Sequence, residues 1–157
     1  MKILIALDDS PYSKDVVEDV AKRAWPENSQ FKLLTVIEPF CLSGDAEEDA
    51  DLLEAQGVVH RKRWQVAEKV CEQARKKLKA AMPDSDVDFE INEGSARAQI
   101  INTAIEWAAD RIIVGVHGKE VCPHNLLGSV SQSVAMHAPC TVEIVRSKAR
   151  HKVSSKV

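Results

Sequence analysis

Three closely spaced glycines carry the clearest chemical signal in this 157-residue sequence. Gly115, Gly118 and Gly128 make up half of its six glycines, and they follow an apolar run at residues 112–114. Glycine loops let a phosphate approach backbone N–H groups, and the free N–H groups at the start of a helix attract anions. Because Ser129 can add a hydroxyl directly after the last glycine, this spacing indicates a site for a phosphorylated ligand.

Each part of this glycine loop also has a purely structural explanation. Glycines after a strand often form turns, and Ser129 with Gln132 fits a capping box at the start of a helix. The spacing is neither that of a Walker A loop nor that of the dinucleotide-binding fingerprint. Since helix capping and phosphate binding are compatible, the structural explanation leaves the phosphate site open.

An acidic pair follows the first apolar run of the chain. Residues 3–7 are predicted to form a buried strand, and Ser10 and Pro11 fit the N-cap and the first position of a helix. Asp8 lies between these two elements. Its carboxylate fits either the start of the helix or contact with a ligand, including a divalent cation. His117, inside the glycine loop, is the candidate for a catalytic base.

Apolar runs and helical periodicities alternate along the chain. Strands are predicted at residues 3–7, 31–37, 87–91, 112–114 and 141–145. Helices are predicted from Ser10 to near Trp25, from Val58 to Met82 and from Val130 to His137. A further helix is predicted from an apolar stripe of Ala98, Ile101, Ala104, Ile105 and Ala108. Residues 43–54 are predicted to form an acidic loop. This alternation favours one α/β domain with a doubly wound open parallel sheet, helices on both faces, and ligands at the carboxyl ends of the strands.

Composition narrows the classes of function. The formal net charge is −3, and the apolar runs are too short for a membrane span or a signal peptide, so we expect a cytoplasmic protein with no membrane and no specific nucleic acid as partner. Four cysteines without a Cys-x-x-Cys pair fit reduced thiols. The many Lys and Arg residues of the long second helix are interpreted as a solvated outer face.

The glycine spacing and several flanking segments together resemble one known family. Those segments are residues 5–10, 33–39, 93–96, 109–110, 112–115 and 137–146. They are similar to the ATP-binding branch of the universal stress protein family, and the resemblance covers residues 1–147. It implies a five-stranded sheet in the order 3-2-1-4-5, like that of the adenine nucleotide alpha hydrolases. Residues 148–157 are then expected to form a basic flexible tail.

The resemblance also implies roles for individual residues. Asp8 matches an acidic residue near ribose, phosphate or a divalent ion, and Val36 matches the residue whose backbone pairs with adenine. The phosphate and ribose cradle is matched by Val114, Gly115, Gly118, Lys119, Gly128, Ser129 and Val130. The implied cofactor is ATP, with Mg²⁺ or Mn²⁺ as its metal ion. Relatives also pair their last strands, which implies a homodimer through Thr141 to Val145.

Three functions remain open at this stage. The favoured hypothesis is an ATP-binding regulatory protein of the stress response, without a committed catalytic centre. A receiver-like signalling domain would also use an acidic pair after the first strand, but the third strand ends without an aspartate acceptor. The third possibility is a slow ATP-hydrolysing enzyme.

Overall fold

Five strands and four helices alternate along the chain. The computed structural model describes residues 1–39, 50–118 and 127–146. The elements are β1 (Lys2–Leu7), α1 (Pro11–Ala21), β2 (Gln30–Ile37), α2 (Ala50–Ala81), β3 (Asp86–Glu93), α3 (Ala96–Glu106), β4 (Arg111–Gly115), α4 (Ser129–His137) and β5 (Thr141–Val145). This alternation confirms the predicted α/β class.

The strands form one parallel sheet in the order β3-β2-β1-β4-β5. β1 is central, and its Ile5 pairs with Leu33 of β2 on one side and with Ile113 of β4 on the other. The predicted strand order is therefore confirmed. A receiver-like domain would have the order 2-1-3-4-5, so the sheet excludes that alternative.

Each face of the sheet packs against its own pair of helices. On the first face, α1 and α2 bury Val16, Val17, Val20, Ala74 and Leu78 against Ile3, Ile5, Phe31, Leu33, Val87 and Ile113. On the second face, α3 and α4 bury Ile100, Ala104 and Val134 against Leu4, Leu34, Ile112 and Val114. Because successive residues of a strand point to opposite faces, the continuous apolar runs of β1 and β4 supply both cores.

Helix α1 starts as predicted but ends earlier. The hydroxyl of the N-cap Ser10 accepts a hydrogen bond from the Ser13 N–H, and Pro11 takes the first helical position. The helix ends at Ala21 and does not continue to Trp25. The Trp25 indole N–H instead donates to the Val20 carbonyl at 2.9 Å, so this side chain covers the end of the helix.

Helix α2 corrects two predictions, because it begins at Ala50 and not near Val58. Residues 50–54 were expected in the acidic loop and are helical; residues 40–49 lie outside the described part of the chain. Ala, Leu, Glu and Gln dominate residues 50–56, and their intrinsic helix propensity is high. The C-terminal half of α2 follows the prediction, since Ala67, Cys71, Ala74 and Leu78 are buried.

The buried stripe of α3 differs from the predicted one. Ala98, Ile105 and Ala108 are exposed, whereas Ile100, Thr103 and Ala104 are buried. The predicted stripe is shifted because Thr103 is buried, whereas a pattern of apolar residues alone predicts that this polar residue faces solvent. Its hydroxyl accepts a hydrogen bond from the Asn92 side-chain amide at 3.4 Å, which allows it to lie in the interface with the sheet.

The two described cysteines are free thiols. They are Cys71, which is buried in α2, and Cys140, which is half-buried before β5. Burial raises the pKa of both thiols, so both stay protonated near neutral pH. This agrees with the expectation of reduced cysteines; Cys41 and Cys122 lie outside the described residues.

Candidate functional site

The chain changes direction across the sheet between β1 and β4. From β1 it winds outward through β2 and β3, and then returns to the other side of β1 for β4 and β5. In parallel α/β sheets this reversal leaves a crevice at the carboxyl ends of the two strands, where ligands bind. Asp8 follows β1 and the glycine loop follows β4, so both predicted features lie at this crevice.

Asp8 has a different neighbour at each of its carboxylate oxygens. Its Oδ1 accepts hydrogen bonds from the Ser10 N–H at 3.0 Å and from the Ser13 hydroxyl at 2.7 Å. Its Oδ2 faces Gly118, where an added Cβ would lie only 2.8 Å away. The two interpretations of Asp8 are therefore compatible: one oxygen fixes the start of α1, and the other faces the glycine loop.

Backbone contacts hold the described ends of the glycine loop together. The Gly128 N–H donates to the Val116 carbonyl at 2.9 Å, and the Ser131 hydroxyl donates to the Gly115 carbonyl at 2.6 Å. A Cβ on Gly128 would lie 3.3 Å from the Val116 carbonyl oxygen, tighter than ordinary contact. Because Gly128 has no side chain, the N-terminus of α4 can lie directly beside the end of β4.

The capping-box prediction for Ser129 is wrong. Gly128 is the N-cap of α4, and Ser129 occupies the first helical position with an exposed side chain. A glycine N-cap offers no side-chain oxygen to the first turn, and no side-chain cap is formed within the described residues. The N–H groups of Ser129 and Val130 belong to the first turn and have no partner within the helix.

The candidate base His117 is buried, with 9% of its surface exposed. Its ring contacts the Tyr12 ring edge-on, with 5.4 Å between the centroids. Its Nδ1 has no hydrogen-bond partner in the described part of the structure. The histidine thus packs from the glycine loop against α1, and no catalytic triad forms around it among the described residues.

Beside Asp8 lies a cleft of about 270 Å³ between the sheet and α2. Its walls are Asp8, Asp9, Thr35, Val36 and Ile37 from the sheet side, and Val59, Lys62, Arg63, Val66, Ala67 and Val70 from α2. Sequence reasoning identified Asp8 and Val36 but missed the whole α2 wall. The available signal was the spacing of Val59, Lys62, Arg63 and Val66, which places these residues on one helical face.

Polar contacts fix the first half of α2 across the ends of β2 and β3. The Arg63 guanidinium donates to the Glu38 carbonyl at 2.7 Å, and the Trp64 indole N–H donates to the Glu93 carboxylate at 3.0 Å. The His60 Nε2 lies 3.1 Å from the same carboxylate. These contacts set the width of the cleft, because they attach the helix to the strand ends beneath it.

The structure thus brings together most of the predicted site residues. Val36 and Asp8 line the cleft, Asp8 meets Gly118, and Gly118 adjoins Gly128 at the start of α4. Val114 and Gly115 lie at the end of β4, and Ser129 and Val130 lie in the first turn of α4. Lys119 lies outside the described residues.

Two further properties of the described residues concern metal sites and membrane-spanning helices. Among residues 1–39, 50–118 and 127–146, no three His, Cys, Asp or Glu side chains form a metal site. Within the same residues, no helix has both the length and the apolar composition that crossing a membrane requires.

Universal stress proteins from other organisms are similar in sequence to this chain. Universal stress protein A homolog 2 of Coxiella burnetii is 30% identical over 151 residues, covering 94% of this chain and 95% of that protein. A universal stress protein of Methanothermobacter thermautotrophicus is 40% identical over 57 residues. The second match spans only 36% of this chain and 38% of that protein, so it is a similarity of one segment and not of the whole protein.

Solved structures have a fold similar to that of this chain, and a family model matches its sequence. The hypothetical protein MJ0577 matches with a TM-score of 0.78 and 26% identity, covering 94% of this chain and 96% of that chain. A universal stress protein in complex with cAMP matches with a TM-score of 0.64 and 25% identity, covering 93% and 97%. The family model of universal stress proteins matches residues 1–146. The chain belongs to the universal stress protein family.

Proposed function

We propose that this chain is an ATP-binding regulatory protein of the stress response in the cytoplasm. The observation that carries the proposal is the contact of Asp8 with Gly118, which joins the cleft beside β2 to the glycine loop after β4. A ligand with a planar base at one end and phosphates at the other fits this continuous arrangement. The structural relative in complex with cAMP supports an adenine nucleotide as that ligand.

The adenine is proposed to pair with the backbone of Val36. The Ile37 carbonyl accepts from the Gly94 N–H at 3.1 Å, so the backbone groups of Ile37 face β3. Backbone groups alternate along a strand, and those of Val36 therefore face β1. The pairing of β1 with β2 ends at Leu7 and Thr35, which uses the Val36 N–H; the Val36 carbonyl lies beyond this last pair and can accept from the amino group of adenine.

Aliphatic side chains provide two walls for the base. Val36 and Ile37 lie on the sheet side, and Val59 and Val66 lie on α2. Val59 is 43% exposed and Val66 is 39% exposed, although both face the cleft. A purine between these walls would remove that apolar surface from water, which favours binding by the hydrophobic effect.

The phosphates are proposed to lie at the glycine loop. Gly115, Gly118 and Gly128 allow close backbone approach there, and the first N–H groups of α4 at Ser129 and Val130 face the same region. Lys119 is proposed to add positive charge to this cradle. The resulting site binds anions through backbone donors and a helix N-terminus.

A divalent cation is proposed to bridge Asp8 and the phosphates. The Oδ1 atom of Asp8 is occupied by Ser10 and Ser13, whereas Oδ2 faces the glycine loop. A carboxylate next to a phosphate is favourable mainly when a cation lies between the two negative groups. Mg²⁺ and Mn²⁺ fit, because each combines one or two carboxylates with phosphate oxygens and water.

Substitution of the glycines tests the phosphate site. Gly118→Val and Gly128→Val are expected to weaken ATP binding by about 10- to 100-fold, the loss of one charge-assisted hydrogen bond or more. Gly57→Ala in α2 is the matched control, since a Cβ there would lie 3.5 Å from the Arg61 guanidinium, an ordinary contact. If both valine variants stay folded and bind ATP like the parent, the glycine loop is not the phosphate site.

We also propose a homodimer through β5, which lies at the edge of the sheet. The Val145 carbonyl accepts from the Val116 N–H at 3.0 Å, so the backbone groups of Val145 face β4. By alternation, those of Val142 and Ile144 face away from the sheet. Edge strands with unpaired backbone groups and β-branched residues favour pairing with a second chain.

Proline substitution at β5 tests this interface. Val142→Pro removes an outward N–H and is expected to weaken the dimer while preserving the monomer fold. Glu143→Pro removes an N–H on the β4 side by the same alternation and is expected to destabilise the fold itself. Analytical ultracentrifugation measures the assembly state. A parent protein that sediments as a monomer at tens of micromolar, with and without ATP, would contradict the proposed dimer.

A further inference from the structure

The cleft carries two cations on the α2 wall, opposite the carboxylates of Asp8 and Asp9. These cations are Lys62 and Arg63, and they belong to the helix whose basic residues were interpreted as a solvated face. Only one of them has a protein partner among the described residues. Arg63 donates to the Glu38 carbonyl at 2.7 Å, whereas Lys62 is exposed and forms no described ion pair or hydrogen bond.

Lys62 also lies on the helical face that borders the proposed base site. It follows Val59 by three residues and precedes Val66 by four, which places all three side chains on one face of α2. A lysine in this position can lay its aliphatic stem along neighbouring valines and extend its ammonium group over the opening of the cleft. The ammonium is therefore available to a ligand that lies between α2 and Asp8.

A nucleotide in this cleft would add negative charge beside the two aspartates. A positive charge on α2, added to the divalent cation proposed at Asp8, attracts a phosphorylated ligand but not an uncharged nucleoside. We propose that Lys62 is a ligand-contacting cation that makes the cleft prefer adenine compounds carrying phosphate next to the ribose over adenosine. This inference rests on the proposed adenine-nucleotide site.

The test compares Lys62→Gln with Lys76→Gln as a matched control. Lys76 is an exposed residue of the same helix, 14 positions further along, which corresponds to about 21 Å. Calorimetric titrations with AMP and with adenosine are carried out on both variants and on the parent at low and high salt. Lys62→Gln is expected to weaken AMP binding about three- to tenfold and to leave adenosine binding unchanged.

Salt supplies a second readout. The difference in AMP affinity between the parent and Lys62→Gln is expected to shrink at high salt, because salt screens a solvent-accessible charge. Equal AMP affinity in Lys62→Gln and the parent would overturn the role of Lys62. Equal losses for AMP and adenosine would also overturn it, since the charge would then not be the cause. A folded parent that binds no adenine compound would overturn the proposed function together with this inference.

Discussion

The two halves of α2 have opposite relations to the sheet. In the C-terminal half, Ala74 and Leu78 are buried in the core, and Leu78 has no exposed surface. Val59, in the N-terminal half, and Val66, at the midpoint of the helix, are 43% and 39% exposed and border the cleft. One continuous helix therefore contributes to stability at one end and forms the wall of the proposed binding cleft at the other.

The halves also differ in how they are attached. Apolar contacts with β2 and β3 hold the second half, whereas polar contacts of Arg63 and Trp64 with the ends of these strands hold the first. Because polar contacts already hold this part of the helix, its apolar side chains are not needed for packing. They remain free to contact a ligand in the cleft. Substitutions in the two halves of α2 should therefore affect different properties: stability in one half and ligand binding in the other.

The largest expected effect comes from shortening one side chain on the packed part of α2 and one beside the cleft to alanine. Leu78→Ala is expected to lower the free energy of unfolding by about 2–5 kcal/mol, the cost of a cavity in the core, without changing ATP affinity of the folded protein. Val66→Ala is expected to change stability by less than about 0.5 kcal/mol and to weaken ATP binding about threefold. Denaturant unfolding and calorimetry measure the two properties. The comparison fails if Val66→Ala destabilises the fold as much as Leu78→Ala does.

A smaller effect is expected across the cleft from α2, at Asp8. Asp8→Asn keeps an oxygen that can accept from Ser10 and Ser13, so the start of α1 should be preserved. ATP affinity at saturating Mg²⁺ is expected to fall about tenfold, because the amide does not bind the cation as a carboxylate does. In EDTA, affinity should stay the same or rise, since a negative charge near the phosphates has been removed. Equal affinity of variant and parent with Mg²⁺ would leave Asp8 as a residue of the helix start alone.

The smallest expected effect concerns stability and comes from an ion-pair cluster on β5. Glu143 of β5 forms ion pairs with Arg23 and Arg111, the latter at 3.1 Å. The hydrogen bond from Arg23 lowers the pKa of Glu143 below its ordinary value, against the opposing effect of burial. A lowered pKa in the folded state stabilises the protein above about pH 4.5, and this contribution is lost as the pH falls through the folded-state pKa.

Glu143→Gln tests this contribution. The variant is expected to lose less than about 1 kcal/mol at neutral pH, because the pair is partly exposed. Its deficit relative to the parent should shrink on acidification below about pH 4.5, as Glu143 becomes protonated in the parent too. Thermal unfolding at pH 7 and pH 3.5 measures the change. A deficit that is constant across this range would show that the charge of Glu143 does not contribute.

The packed regions were predictable from the sequence, and the cleft was predictable only in part. The strands follow from continuous apolar runs, and the second half of α2 follows from a helical stripe that runs from Ala67 to Met82, because burial selects for both patterns. The first half of α2 lacks such a stripe, since its apolar residues face a cleft. Thr103 shifted the predicted stripe of α3, because its buried hydroxyl has a partner on β3 that local periodicity cannot reveal.

The candidate site also has residues that the sequence could predict and residues that it could not. Asp8 and the three glycines were predictable because they follow strands, and the carboxyl ends of parallel strands meet at one edge of the sheet. Lys62 was not predictable as a residue that lines the cleft. Its position at the cleft depends on how α2 crosses the ends of β2 and β3, which Arg63 and Trp64 determine through contacts distant in sequence.

Calorimetric titration of the parent protein with ATP at saturating Mg²⁺ tests the central claim most directly. We expect saturable binding of one ATP per chain, with GTP binding much more weakly because its base offers a different edge to the Val36 backbone. Addition of ATP should also raise the unfolding temperature, since the ligand binds the folded state. A folded protein that shows no saturable binding of ATP, ADP, AMP or cAMP at millimolar concentrations would contradict the account.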